Sequence, residues 1–462
     1  FIFNGNVTLT DGTSTLNWTK GTGTITFAKE SGTQTANFLN KAVEDIVVGD
    51  GTTTTNTLQL VTNGVTTDQL TVNSNATFDL NGNNLSYPSS VGTYNNGTIR
   101  LKGNETLTNI ANLDTDSGTV TYYGDNGGGG SPFTIYDFGT TDYYNLTFDA
   151  TSGTDVFRPA DTLTVANDLT ITQGTFDNAT NDENINVTGN VTMDNTRTDM
   201  GDGTWTVSGS FDNRDVTTFN RNLSTLVMDG GTELSPKNLN FKHLGYVAQN
   251  ITISGYVATN PPGGSYLYCQ GTVTISGTLS ISSVSRLVLS ASTSADLYVT
   301  ETGKITGAGS LQLGYNSEIA QMDGVIDVTN LHITQQHDAS TSSLVPATYD
   351  SANVAFSSDN IHNVGWTPLS GTYTFSGNVT FRGSTKTGTF TVNNSTNNPN
   401  FIFKGNVTFT NGTGTLNWTK GTGTITAGGT STQSLDFLGK TVEDIVISNT
   451  SATVSLTGNG VT

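Results

Sequence analysis

Apolar residues recur along this chain in pairs two positions apart: Phe1/Phe3, Val7/Leu9, Leu16/Trp18, Ile25/Phe27, Ile46/Val48, Leu58/Leu60, Leu70/Val72, Phe78/Leu80 and Ile99/Leu101. Side chains alternate across a strand, so each pair predicts one face of a strand of four or five residues. The residues between are mostly Thr and Asn, which places the opposite face in water. Asn-Gly, Asp-Gly and Gly-Thr turn signals separate the pairs at intervals of roughly 6–14 residues. No segment carries apolar residues at i, i+3, i+4 and i+7, so no amphipathic helix is expected.

Evenly spaced short strands fit either a parallel β-solenoid or a string of β-sandwich domains. The solenoid is favoured because the strands are so short and the turns so rich in Asn and Gly. The phrases of the chain also read alike: LTVNSNATFDLNGNNL at Leu70, LTVANDLTITQGTFDNA at Leu163, INVTGNVTMDN at Ile185, GTWTVSGSFDN at Gly203 and GTVTISGTLSIS at Gly271. No Cys…Trp…Cys sandwich pattern is present. Coils of roughly 20–27 residues stacked about 4.8 Å apart are expected, each burying surface only against its neighbours.

A longer repeat overlies this pattern. FIFNGNVTLTDGTSTLNWTKGTGTIT, residues 1–26, returns as FIFKGNVTFTNGTGTLNWTKGTGTIT at 401–426, with differences only at Asn4/Lys404, Leu9/Phe409, Asp11/Asn411 and Ser14/Gly414. FLNKAVEDIVV at Phe38 is answered by FLGKTVEDIVI at Phe437. Residues 1–400 therefore read as one full period and 401–462 as the start of a second, near-identical one. One 400-residue period would rise about 70–95 Å. A coarser unit of roughly 100 residues shows in GTITF at Gly23, GTVTYY at Gly118 and STLVMDG at Ser224, and its register fades after Val273.

The alternation of LTV-N-ATFDLNG and GNVTI units resembles the filamentous-haemagglutinin-like adhesins and large surface-layer repeat proteins of bacteria and archaea. That resemblance implies an elongated right-handed parallel β-helix with projecting loops, on an extracellular or cell-surface protein. It brings no catalytic residues to carry over.

Composition sharpens the picture. Hydrophobic residues are 33 % and charged residues 12 % of the 462 positions, against about 45–50 % and about 25 % in ordinary domains. Thr, Asn, Ser and 53 glycines fill the gap, a vocabulary of strands and tight turns. Regular apolar alternation argues against disorder. The net charge of −20, with only 18 Lys and Arg, excludes a nucleic-acid partner. Cys269 is the single cysteine, so no intrachain disulfide forms and a small buried hydrophobe is expected there. No stretch reaches the length of an apolar membrane span. Phe1 opens a repeat motif without an initiator Met, so trimming from a longer precursor is expected.

Irregular places are the Pro88 corner, the Gly127–Gly130 run followed by Ser131-Pro132, Pro261-Pro262-Gly263-Gly264 and the stretch from Gln335 to Pro368, and the glycine run is expected to project as a loop. Tyr256, Tyr266 and Tyr268 read as aromatics stacked on a solenoid face.

About 19 Asn-X-Ser/Thr sequons exceed the roughly 13 that composition alone generates. Candidate N-glycosylation sites are Asn6, Asn17, Asn75, Asn84, Asn96, Asn104, Asn145, Asn178, Asn186, Asn190, Asn222, Asn250, Asn378, Asn394, Asn406, Asn411, Asn417 and Asn449. Asp194, Asp199 and Asp202, and the pair Asp114/Asp116, offer the hard oxygens that Ca²⁺ takes. Neither stretch matches a calcium loop, so solvated turn acids are expected and no cofactor is assigned. The four histidines, His243, His332, His337 and His362, lie in no ligand or nucleophile motif. Glu44/Asp45 and Asp182/Glu183 are adjacent on strands and point to opposite faces, so no catalytic carboxylate pair is expected. Uneven spacing sets aside an ice-binding reading of the Thr-x-Thr ranks, and Lys41/Glu44 and Lys440/Glu443 read as surface charge rather than isopeptide partners.

The expected function is structural: an extracellular repeat protein of a microbial filament, sheath or surface layer, with copies of itself as partners. The alternative is an adhesin whose loops bind cell-surface glycans. An enzyme is not expected.

Overall fold

A computed structural model of the chain describes residues 1–462 except 53–54, 126–130, 243–244, 262–264, 290–294, 315–316, 336–342, 359–360 and 459–462. The described residues form strands and turns with no helix, and the strands stack in parallel as a right-handed β-solenoid. Every strand pairing described is parallel, which removes the β-sandwich alternative. The contacts divide the chain into two compact units, Phe1–Ser224 and Thr225–Thr462.

In the first unit, the i, i+2 pairs become inward ladders. Phe78, Ile99, Val120, Leu146, Leu169, Val191 and Phe211 are successive register partners. None is more than 1 % exposed. One residue along the same strands, the outward row runs Thr121, Thr147, Thr170, Thr192. A second ladder stacks Ile25 on Ile46 and Leu70, and Phe27 on Val48 and Val72. Each apolar residue is therefore covered by the coil on either side, the only burial a one-dimensional stack provides.

The second unit repeats the device with larger side chains. Leu331, Val354, Val379, Val407 and Leu435 form one column, and Ile333, Phe356, Phe381 and Phe409 the next. Phe356 and Phe381 stack with centroids 4.7 Å apart, and Trp366 lies 4.6 Å from Phe356. Cys269 is buried and sits in register with Leu289, inside an apolar column as expected. Strand Asn400–Phe403 pairs with Thr372–Phe375 on one side and Thr424–Ala427 on the other. The second copy of the repeat thus begins inside an unbroken ladder.

Several details depart from the expectation. Register partners lie from 19 residues apart (Phe157 and Phe176) to 29 apart (Val7 and Ala36), wider than the expected coil range. Pro88 is not a corner: it falls within strand Leu85–Gly92, where the register shifts between Ser86 and Val91. That is a bulge, a place where a missing N–H is tolerated. Leu39 and Asn40 both have positive φ (52° and 55°), and Leu438 and Gly439 repeat the turn (54° and 65°). Such a backbone is costly for leucine. The Asn37 and Asp436 carboxamide and carboxylate oxygens accept the Leu39 and Leu438 N–H groups at 3.0 and 2.9 Å and hold the turn in both copies. Of the irregular places, Gly127–Gly130, Pro262–Gly264 and residues 336–342 lie outside the described residues, and the rest of the Gln335–Pro368 stretch carries strands Thr348–Tyr349, Asn353–Ser358 and Val364–Trp366.

Phe381 is fully buried between Phe356, Phe409 and Trp418. Phe381→Ala should destabilise the second unit by about 3–5 kcal/mol, whereas outward-facing Thr380→Ala should stay within about 0.5 kcal/mol. Denaturant unfolding followed by tryptophan fluorescence checks this, and equal effects would contradict the assigned faces.

Candidate functional site

The sequon asparagines fall into distinct settings. Asn178 and Asn394 are fully buried. Asn178 Nδ2 donates to the carbonyls of Glu183 and Met200, both at 2.8 Å. Asn145, Asn186, Asn250 and Asn449 are half-buried. Asn6, Asn17, Asn75, Asn84, Asn96, Asn104, Asn190, Asn222, Asn378, Asn406, Asn411 and Asn417 are exposed.

Many of these residues share a job that counting sequons does not reveal. The N–H of Thr35 donates to Asn6 Oδ1 at 2.9 Å, and that of Thr106 to Asn84 Oδ1 at 2.7 Å. Ser210 does the same to Asn190, Thr272 to Asn250, Asn406 to Asn378, and Ser434 to Asn406. Each bond reaches from a strand entrance to the coil that follows. The Asn of a GNVT phrase is a coil-to-coil acceptor, and the Thr two residues on is an outward strand residue. The fold therefore writes Asn-X-Thr for its own reasons. Glycosylation would use Nδ2 and leave Oδ1 as the acceptor, so the two roles are compatible. Peptide mapping of protein from its native host should find glycans only at exposed or half-buried sequons; a glycan on Asn178 or Asn394 would contradict the buried placement.

The acidic candidates are mostly consumed by structure. Asp199 is buried, bonded to Arg197 Nε at 2.7 Å and to the Asn220 amide. Asp202 accepts the Leu223 N–H at 3.0 Å, and Asp114 accepts the Asn95 N–H at 2.7 Å from a buried position. Asp199 and Asp114 are thus not the solvated turn acids expected: their coil neighbours recruit them as acceptors. Asp194 and Asp116 are exposed. Among the described residues, no three His, Cys, Asp or Glu side chains are placed to hold a metal ion. His332 is half-buried on an outer face, and burial together with Arg286 lowers its pKa. His243 and His337 lie outside the described residues. Tyr266 and Tyr268 stack at 6.1 Å on the outer face, Tyr246 packs on Tyr268 at 5.7 Å, and Arg286 lies over the Tyr266 ring. Tyr256 is on a different strand.

Asp142 is fully buried, and that burial raises its pKa to about 6, against the Thr164 and Phe138 N–H groups that donate to it. Nearby Asp137 pushes in the same direction as burial. A folded pKa above the ordinary 3.8 means the fold prefers the protonated acid. The associated stability is fully present below 3.8 and is lost as pH rises through about 6. Carbon-detected NMR titration should find the Asp142 midpoint near 6; an ordinary carboxylate midpoint would contradict its buried state.

The most informative geometry lies at the repeated stretch. In the second copy, Glu443 is 2 % exposed. Its carboxylate accepts Trp418 Nε1–H at 2.9 Å, Gly421 N–H at 2.8 Å and Asn394 Nδ2–H at 2.8 Å. The equivalent Glu44 is 7 % exposed and accepts Gly21 N–H at 3.0 Å. Both acids are buried rather than the surface charges expected, because a tryptophan-bearing segment closes over each. Burial resists ionisation of Glu44, but hydrogen bonds from Gly21 and its own N–H, with Trp18 alongside, hold its pKa below the usual carboxylate value. In this first copy, Trp18 Nε1 and Glu44 Oε2 are buried without completing a hydrogen bond. Thr415–Thr419 is a strand paired with Thr389–Asn393, whereas residues 15–19 form none. Phe1 and Ile2 are 71 % and 74 % exposed, and Phe401 is fully buried. The first coil thus presents an apolar axial face that its copy buries.

The fold and this face define a parallel β-solenoid of stacking coils. Comparison of the chain with protein-family models, curated proteins and solved structures found no match.

Proposed function

We propose that the chain is a structural unit of a microbial surface filament, sheath or surface layer, working outside the cell and assembled from copies of the same 400-residue repeat. One observation carries the reading: residues 401–426 repeat residues 1–26 with four differences and continue the ladder of hydrogen bonds without a break. A solenoid whose next repeat starts in register has no intrinsic end. Pulling along its axis loads parallel rows of coil-to-coil hydrogen bonds and apolar columns, and both grow with every repeat added. The work asked of such a chain is mechanical, and its partners are further copies.

A second reading, an adhesin, draws on one surface feature. Tyr94 is 63 % exposed beside a groove of about 420 Å³ lined by Gln69, Asn112 and Asp116. An exposed aromatic ring flanked by amide and carboxylate side chains suits the apolar face and hydroxyls of a sugar.

Negative-stain microscopy of the purified chain separates them. The structural reading expects ordered polymers or lattices that lengthen with concentration. Dispersed single particles at every concentration, together with glycan-array binding lost in Tyr94→Ala, would overturn it in favour of the adhesin.

A further inference from the structure

We infer that the free axial face of the first coil is a docking face for one particular coil, residues 372–399 of another copy of the 400-residue repeat. This rests on the array reading above and specifies the junction between repeats.

The chain contains the same coil twice, once covered and once bare, so it carries its own comparison. In the covered copy, Tyr373 stacks on Phe401 and Phe375 on Phe403, both at 5.7 Å. Phe381 meets Phe409 and Trp418 at 5.2 Å each. Val407, Phe409 and Leu416 are at most 2 % exposed there, whereas Val7, Leu9 and Leu16 are all partly open. Asn394, from the covering coil, donates to Glu443 in the clamp that also holds Trp418. Bare Glu44 and Trp18 have the same side chains and an unfinished version of that clamp.

The glycines are the second, independent observation. A Cβ on Gly405, Gly412 or Gly423 would come within 2.4, 2.2 or 2.0 Å of a carbonyl oxygen of the covering coil, at Gly377, Ser384 and Pro399. Only glycine allows those backbones to approach so closely. Gly5, Gly12 and Gly23 occupy the same places in the first copy, and a Cβ there meets nothing within 4 Å. Their lack of a side chain fits the carbonyls of a coil like 372–399. One of the four differences opposes the fit. Gly414, whose Cβ would lie 1.9 Å from the Gly388 oxygen, is Ser14 in the first copy, so the turn near that serine must shift on docking.

The test adds a copy of residues 364–400 directly ahead of Phe1 in the full chain and follows amide exchange at residues 15–19 and the Trp18 indole N–H. The expected result is at least about tenfold greater protection of these groups, with a further gain in Ser14→Gly. An extension of equal length copied from residues 163–199 serves as the mismatched coil and should give no such gain. Gly23→Ala should be neutral in the unextended chain and should abolish the gain in the extended one. Unchanged protection, equal protection by the mismatched coil, or indifference of the extended chain to Gly23→Ala would each overturn the inference. The outcomes are separable from the surface-assembly reading. Polymers without a protected junction overturn only the docking face, and a protected junction without polymers overturns only the assembly.

Discussion

Stacking of each coil on the next is the constraint from which the rest follows. A coil of 19 to 29 residues has too little apolar surface to fold by itself. It becomes stable only when neighbours cover both of its axial faces and pair its backbone. The first coil shows nearly the same sequence with one axial face uncovered. With the sequence of its copy almost intact, it leaves Phe1 and Ile2 in water, forms no strand over residues 15–19, and leaves Trp18 Nε1 and Glu44 Oε2 without a completed hydrogen bond. The equivalent residues of the second copy, with residues 372–399 packed against them, are strand, core and clamp.

The unusual composition is a consequence of that constraint. A column of inward side chains needs only two or three apolar residues per strand, so a chain can be 33 % hydrophobic and still bury a continuous core. Outward positions are met by Thr, which suits a pleated surface. Coil corners need an acceptor that reaches the following coil, and Asn6, Asn84, Asn378 and Asn406 supply it through Oδ1. Corners where backbones nearly touch need glycine, as Gly405 over Gly377 shows. Scarcity of charge belongs to the same logic, because an inward-facing carboxylate must find several donors, as Glu443 does.

How much of this was legible before the structure divides along the same line. Strands were legible, because the period-two signal is local: Ile25/Phe27, Leu70/Val72 and Phe78 all lie where the alternation put them. The parallel solenoid followed from the shortness of the strands and the recurrence of phrases. What escaped depends on a neighbour about one coil away in sequence. Leu16/Trp18 has the same alternation as the other pairs, yet only its copy is a strand, because pairing requires Val392 opposite Trp418. Glu44 looked like a surface charge beside Lys41, since nothing local says that Gly21 and a tryptophan will close over it. Asp199 and Asp114 were misjudged as solvated for the same reason. The Pro88 bulge and the left-handed Leu39 are likewise set by the coils on either side, with only Asn37 giving a local hint. The abundance of sequons has a cause that is not local, since Asn6, Asn84, Asn190, Asn250, Asn378 and Asn406 each accept a backbone N–H 20 to 29 residues on.

Heterogeneous coils also explain why the repeat is so long. In a solenoid of identical coils any coil can follow any other, and duplication of a single coil preserves every contact. Here coil lengths vary, column residues range from Val to Trp, and corners alternate between asparagine acceptors and glycines that almost touch the backbone beneath. A coil copied alone would meet the wrong neighbour: a side chain where a glycine is needed, or a tryptophan without the carboxylate and amide that hold it. Only a block carrying both flanking environments can be duplicated without spoiling a junction, except at the single place where the end of one block meets the start of the next. In the proposed array, that junction is where each copy would meet its neighbour. The retention of Gly5, Gly12, Gly23, Trp18 and Glu44 in the first coil matches the junction residue by residue, although none of them is fully used there.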